Sequence, residues 1–254
     1  MKLGRLARDV GPIALAAVAF VAAWKLVVVV GGLKPILLPP PEAVGSRLIS
    51  GWADGTIAPN ALTTLGEIGI GFAVGASAAV LVGYLLARSR FAERVLSPYV
   101  VAAQSTPILA LAPLFVVWFG PGLLSKVIMC TLIVFFPVAV ATMVAIREVD
   151  HSLLEMSRAF RASRMQVLLR IEIPGALPSI FGGLRVGVTL AVVGAVISEW
   201  AGADSGLGLL FIVARGSRFD IPLAFATLVT IAAIGVLSYL VVVVVERRLV
   251  GARG

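Results

Sequence analysis

The side chains able to do chemistry are few and scattered. Glu199 stands at the end of an apolar run beside Trp200, and Gln104-Ser105-Thr106 interrupt another run ahead of Pro107. Arg185 marks the edge of a third, and a charged stretch from Glu155 to Arg164 separates two more. Catalysis by acid and base needs paired titratable groups, and a protein-built metal centre needs several His, Cys or carboxylate ligands. With one His (His151), one Cys (Cys130) and few acids inside the apolar runs, neither is readily assembled, so no catalytic residue and no metal site is assigned. A phosphate-cradling Gly-x-x-x-x-Gly-Lys-Ser/Thr stretch is absent as well, since Lys2, Lys25, Lys34 and Lys126 all stand in other contexts. Polar groups embedded in apolar runs then carry the functional weight, because in lipid they mark paths for solutes.

The elements that must hold these groups are membrane helices. Of 254 residues, 60% are hydrophobic and 13% charged, which excludes an ordinary soluble domain. A helical span takes about 20 apolar residues, and six such runs occur: Pro12–Val30, Ile68–Ala87, Ser97–Phe119, Leu123–Ile146, Leu177–Trp200 and Ile221–Val245. They are continuously apolar, unlike the alternating segments of a transmembrane barrel. The first run also has the build of a signal peptide, but apolar character resumes after Lys25 to complete a span, with Lys25 and Trp24 at the outer headgroups. The fold class is therefore an all-α integral membrane protein of about six spans. Residues 1–254 form one membrane unit, with the core at about 60–246 and a cytoplasmic loop at 147–175.

Orientation follows from the basic residues. With the N-terminus inside, Lys2, Arg5, Arg8, Arg88, Arg90, Arg94, Arg147, Arg158, Arg161, Arg164, Arg170, Arg247, Arg248 and Arg253 are cytoplasmic. The outer segments keep Lys34, Arg47, Lys126, Arg215 and Arg218, so both termini are expected in the cytoplasm. The net charge of +8 then reads as topology and contact with anionic lipid; no basic stripe with interleaved aromatics suggests nucleic acid. Between the spans, a short interfacial helix is expected near Glu42–Trp52, a tight outer turn at Gly120–Ser125 and a loop at Gly202–Asp220.

The segment Arg147–Pro178 is too charged to cross lipid and too apolar for a plain linker. Leu153, Met156, Phe160 and Val167 recur at helical spacing, predicting one or two short amphipathic helices that Pro174 and Pro178 end. By itself this pattern fits a basic helix lying on anionic lipid as well as a protrusion into a partner protein. Glu199 reads either as a gate or pathway group or as a wetted interfacial carboxylate anchored by Trp200. Gln104, Ser105 and Thr106 read either as an unwound, solute-facing stretch or as the lining of a proline kink. Arg185 reads as the cytoplasmic edge of its span, Cys130 as packing and His151 as surface. Gly69, Gly71, Gly75, Ala76 and Gly83 allow close helix contact.

Residues Glu155-Met156-Ser157, then Arg161, then Ile171-Glu172-Ile173-Pro174 keep the spacing of a known cytoplasmic signature: Glu-Ala-Ala, three residues, Gly, and a distant Ile-x-Leu-Pro. On that ground the chain resembles the permease subunits of binding-protein-dependent ABC importers. Pro107–Leu114 with Trp118-Phe119-Gly120, Ser125-Lys126, Phe135-Phe136-Pro137, Gly182-Gly183-Leu184-Arg185, and Glu199 with Gly206-Leu207-Gly208 resemble its nitrate, sulfonate and taurine branch, which includes pyrimidine-precursor and riboflavin-type permeases. Two departures stand out. Arg161 occupies the glycine position, where the bend between two short helices is made, and Glu67 of Thr64-Leu65-Gly66-Glu67 stands where the branch usually has Arg.

The resemblance implies a type I ABC importer permease fold with a coupling helix between the fourth and fifth spans. It implies two cytoplasmic ABC ATPase subunits as partners, an extracytoplasmic solute-binding protein, and a second permease subunit, identical or related, all at the inner membrane. ATP and Mg²⁺ would sit on the ATPases, with no cofactor on this chain. Glu155, Arg158, Ala159, Arg161, Ala162 and Ser163 would contact the ATPase, while Gln104, Ser105, Thr106 and Glu199 would line or gate the path. The competing readings are a self-sufficient secondary transporter or channel, which would show paired broken helices or rings of charge, and a membrane enzyme. The spans hold no evident Arg or Lys cluster for an oxyanion, which favours a neutral or aromatic solute over nitrate or sulfonate.

Overall fold

A computed structural model describes residues 2–105 and 107–251; side chains of residues 103–105, 151 and 158, among others, lie outside the description. The described residues form helices and connecting turns, without strands: α1 Lys2–Val30, α2 Pro41–Ala53, α3 Ala58–Arg88, α4 Arg90–Ser105, a 3₁₀ turn Ile108–Leu111, α5 Ala112–Phe119, α6 Leu123–Arg147, α7 His151–Ala159, α8 Arg164–Val167, a π turn Leu168–Glu172, α9 Ile173–Ala201, α10 Leu207–Arg215 and α11 Ile221–Val250. At 31 residues α3 is about 46 Å long, against a hydrocarbon thickness of about 30 Å. Among the described residues, α3, α6, α9 with its preceding turn, and α11 are long and apolar enough to cross a bilayer, and Ala14–Val30 of α1 is a shorter apolar stretch.

Contacts group the chain into two compact units. The first comprises residues up to Ala58 with Leu210–Val229. Here Pro41 opens α2 at its first helical position, where a missing N–H costs nothing. Arg47 donates from Nε to Asp220 Oδ2 at 2.8 Å and lies 3.3 Å from Asp54 Oδ2. Asp54 is held below its ordinary pKa first by hydrogen bonding from Thr56 and then by Arg47. Asp220 also accepts from Leu223 N–H at 3.0 Å, capping α11. Lys25 pairs with Glu42 at 3.4 Å, and the Trp24 ring lies 6.0 Å from that of Phe225.

The second unit, Pro59–Leu209 with the chain from Thr230, carries the functional candidates. Its core joins Ile68, Ala76 and Ala79 of α3, Cys130, Val134, Val138 and Ala139 of α6, and Ala191, Val192 and Ala195 of α9. Small residues let these backbones meet: a Cβ on Gly75 would fall 2.9 Å from the Thr131 carbonyl oxygen, and Gly71 and Gly83 also face α6. Gly69 faces open space instead.

The run Ser97–Phe119 is interrupted where its polar stretch meets Pro107: α4 ends at Ser105, and a 3₁₀ turn follows Pro107, which has no N–H for the helical ladder. Two expectations are corrected. The stretch Gly202–Asp220 is not all loop but contains α10, because Leu207, Leu210 and Ala214 supply a buried helical stripe. Pro174 and Pro178 do not stop the chain's helix. The π turn Leu168–Glu172 ahead of them takes up the irregularity, Pro174 sits in the first turn of α9, and α9 continues through Pro178.

Candidate functional site

Two ends of the second unit hold the candidate residues. At the loop end, α7 and α8 form a short helical hairpin. Its base is buried: Val149 packs with Ala145, Ile146, Ala176 and Ile180, with Leu154 and Ile171 against them. Arg88 reaches Glu172 with Nη2 3.0 Å from Oε2, out of line for a hydrogen bond, and donates from Nε to Tyr84 Oη at 3.0 Å. Arg147 joins α4 to α3 by donating to Glu93 at 2.6 Å and to the Leu86 carbonyl at 3.0 Å.

The tip is open. Phe160 is 79% exposed, and Glu155, Met156, Ala159, Arg161 and Ser163 are exposed beside it, with Ala162 half-buried. The bend is a Schellman turn in which Ala162 N–H donates to Ser157 O at 2.9 Å. That motif puts its pivot in the left-handed region, and Arg161 occupies it with φ +54. The turn that the signature builds on glycine is thus kept with arginine. Ser163 then starts α8 with a reciprocal capping box, its Oγ accepting from Gln166 N–H and its own N–H donating to Gln166 Oε1. The backbone around Arg158 is in α7; its side chain lies outside the described residues.

At the opposite, turn end, Pro121-Gly122 and Gly202–Gly206 reverse the chain. Glu199 is 1% exposed there and serves the start of α10. Its Oε2 accepts from Gly208 N–H, and its Oε1 accepts from Thr64 Oγ1 at 2.6 Å. A carboxylate at the first turn of a helix meets the positive end of its dipole. Thr64 Oγ1 accepts in turn from Leu207 N–H at 2.9 Å, and Asn60 Oδ1 from Gly206 N–H at 2.8 Å. Gly206 adopts φ +123, and a Cβ there would overlap the Glu199 carboxyl, so this position admits only glycine without rearrangement. Glu67, also 1% exposed, meets the Glu199 carboxyl from α3. Lys126, 3% exposed, stands near both acids while its Nζ donates to the carbonyls of Pro121 and Gly122.

The geometry brings Glu155, Ala159, Arg161, Ala162 and Ser163 into one protrusion and sets Glu199 at the other end. Gln104 and Ser105 end α4 at the helix break, but their side chains, and Thr106 altogether, lie outside the described residues. Residues Asn60, Thr64 and Glu67 were not among the predicted site groups. Their spacing of four and three places them on one face of α3, which is the signal that could have found them.

A family model described as the inner membrane component of binding-protein-dependent transport systems matches residues 75–251. This chain is a member of that family. The permease is 40% identical over 227 residues to the riboflavin transport system permease RibX of Chloroflexus aurantiacus, covering 89% of this chain and 84% of the relative. It is 35% identical to the formylaminopyrimidine transport permease ThiX of Halalkalibacterium halodurans, over 81% of this chain and 82% of the relative. It is 30% identical to the taurine permease TauC of Escherichia coli, over 89% and 84%. Its fold matches an inward-facing structure of the MetNI methionine ABC transporter with a TM-score of 0.65 at 23% identity, over 77% of this chain and 95% of that one. The protein is thus a transmembrane permease subunit of an ABC importer with the type I permease fold.

Proposed function

We propose that this permease carries a neutral, aromatic solute of the flavin or pyrimidine-precursor class, delivered by an extracytoplasmic binding protein. The observation that carries the reading is the 40% identity to a riboflavin permease across 89% of the chain. The internal cations support it: Lys126 is engaged by backbone carbonyls and Arg185 Nη2 by Glu246 at 3.0 Å, so each has a local partner, although Arg185 Nε keeps one buried N–H unpaired. Binding-protein selectivity decides the matter. The cognate binding protein should take a flavin or aminopyrimidine tightly, and selective sulfonate binding would overturn the assignment.

ATP and Mg²⁺ belong to two cytoplasmic ATPase subunits, and a second permease subunit, identical or related, completes the path. The α7–α8 protrusion, with Glu155, Arg158, Ala159, Arg161, Ala162 and Ser163, docks on the ATPase and passes its closure to the spans. Its buried base and exposed tip suit a rigid lever. This orientation puts both termini in the cytoplasm and the turn end outside. Gln104, Ser105 and Thr106 at the break in the third run line the path, and Glu199 holds the turn that gates it. In vesicles, uptake should require added ATPase, ATP and binding protein together; uptake by the purified chain alone would replace this reading with a secondary transporter.

A further inference from the structure

The acids at the turn end outnumber the cation beside them. Glu67, Glu199 and Lys126 are all at most 3% exposed, so two carboxyls and one ammonium share a site closed to water. Fully ionised, the trio carries an uncompensated negative charge, and a buried unpaired charge is strongly disfavoured. The two carboxyls also meet directly, and two carboxylates without a proton between them repel.

The hydrogen bonds divide the pair unequally. Glu199 Oε2 accepts from Gly208 N–H, and Oε1 lies 2.6 Å from Thr64 Oγ1, whose single hydrogen is shared between Oε1 and the Asn60 carbonyl at 3.1 Å, so both oxygens of Glu199 have a polar partner. Glu67 Oε2 is buried with no hydrogen-bond partner. Lys126 directs two of its three N–H groups to the carbonyls of Pro121 and Gly122. The remaining ionisable neighbour, Cys130 on α6, is a buried thiol that brings no positive charge.

We propose that Glu67 and Glu199 form a proton-binding site, with one proton held chiefly on Glu67 and shared toward Glu199, and that this proton fastens the start of α10 to α3 and α6. Removing it leaves two facing carboxylates against one ammonium. Repulsion then pulls Glu199 away from Thr64 and Gly208, and the Gly206–Gly208 turn loosens. The site is a pH-sensitive latch, and it stands whether or not the solute assignment above is right.

The test uses the full chain in lipid nanodiscs, without ATPase or solute, so that its failure leaves the transport reading untouched. Infrared spectroscopy across pH should show the carbonyl stretch of a buried, protonated carboxylic acid at neutral pH, lost in Glu67→Gln and shifted in Glu199→Gln. Hydrogen exchange supplies a second readout in the wild-type protein alone. After correction for base catalysis, protection of the Gly206–Gly208 amides should fall by about tenfold as the acid band disappears at high pH. In Glu67→Gln, whose amide cannot ionise, protection should stay constant across the same range. Absence of a protonated-acid band in the wild type at neutral pH overturns the proposal, as does protection independent of pH while that band titrates.

Discussion

The two ends of the second unit solve opposite problems with charged residues. At the turn end Glu67, Lys126 and Glu199 are sealed among helices; Glu199 and Thr64 tie the Gly206–Gly208 turn to α3, and Lys126 holds Pro121-Gly122 on α6. At the loop end Glu155, Arg161 and Arg164 stand in the open on a hairpin whose base is buried. A buried polar group without its partner costs the full desolvation of that group, whereas an exposed one is solvated by water. The first cluster therefore acts on the stability of the fold, and the second is free to act on a partner.

That contrast ranks the outcomes of mutation. The largest effect belongs to Gly206→Ala, where the new methyl would overlap the Glu199 carboxyl and the residue would be held at φ +123. Overlap with a buried network and a strained backbone together exceed about 4 kcal/mol, enough to remove most folded chain from the membrane. Yield of monodisperse protein in detergent measures it; normal yield would show that the turn is not packed on Glu199.

Glu199→Leu comes next. It leaves Gly208 N–H without an acceptor and strips Thr64 of one, at a cost of about 3 kcal/mol. Thermal unfolding should show a clear drop, and Glu199→Gln, which retains one carbonyl oxygen, should lose less. Equal losses in the two variants would mean that packing rather than hydrogen bonding holds the turn.

At the loop end the same size of side-chain change should leave the fold alone. Glu155→Trp adds bulk to an exposed position, so unfolding should shift by no more than about 0.5 kcal/mol. Uptake by the assembled importer should nevertheless fall about tenfold or more, as for a central interface residue. Unchanged uptake and unchanged assembly would remove α7 from the docking surface.

Much of this contrast was legible in the sequence. Continuous apolar runs gave the spans, because a helix in lipid must satisfy its own backbone and then needs only apolar side chains outside. The loop helices were legible from Leu153, Met156 and Phe160 at helical spacing, and α2 from the prolines before it. The turn-end cluster was not, because Asn60, Thr64, Glu67, Lys126 and Glu199 are brought together only by packing of α3, α6 and α9. Glu67 stood out merely as a departure from a family pattern. α10 was hidden because Gly202, Gly206 and Gly208 read as punctuation, whereas Gly206 and Gly208 are small to let the chain lie on Glu199. Pro174 and Pro178 misled in the other direction, since a proline near a helix start is compatible with the helix it appears to end.

The smallest predicted effect is also the most diagnostic for the loop end. Arg161 holds φ +54 at the pivot of a Schellman turn, a conformation that costs a side-chain-bearing residue about 1 kcal/mol and costs glycine nearly nothing. Glycine gives back part of that gain through its freer unfolded chain. Arg161→Gly should therefore stabilise the protein by no more than about 0.5 kcal/mol, read as a small upward shift in thermal unfolding. A destabilised variant would mean that the arginine side chain makes contacts worth more than its backbone strain. A stabilised variant with impaired uptake would separate the two roles of the residue. The bend needs only the backbone, so any loss of coupling then belongs to the guanidinium that the bend presents.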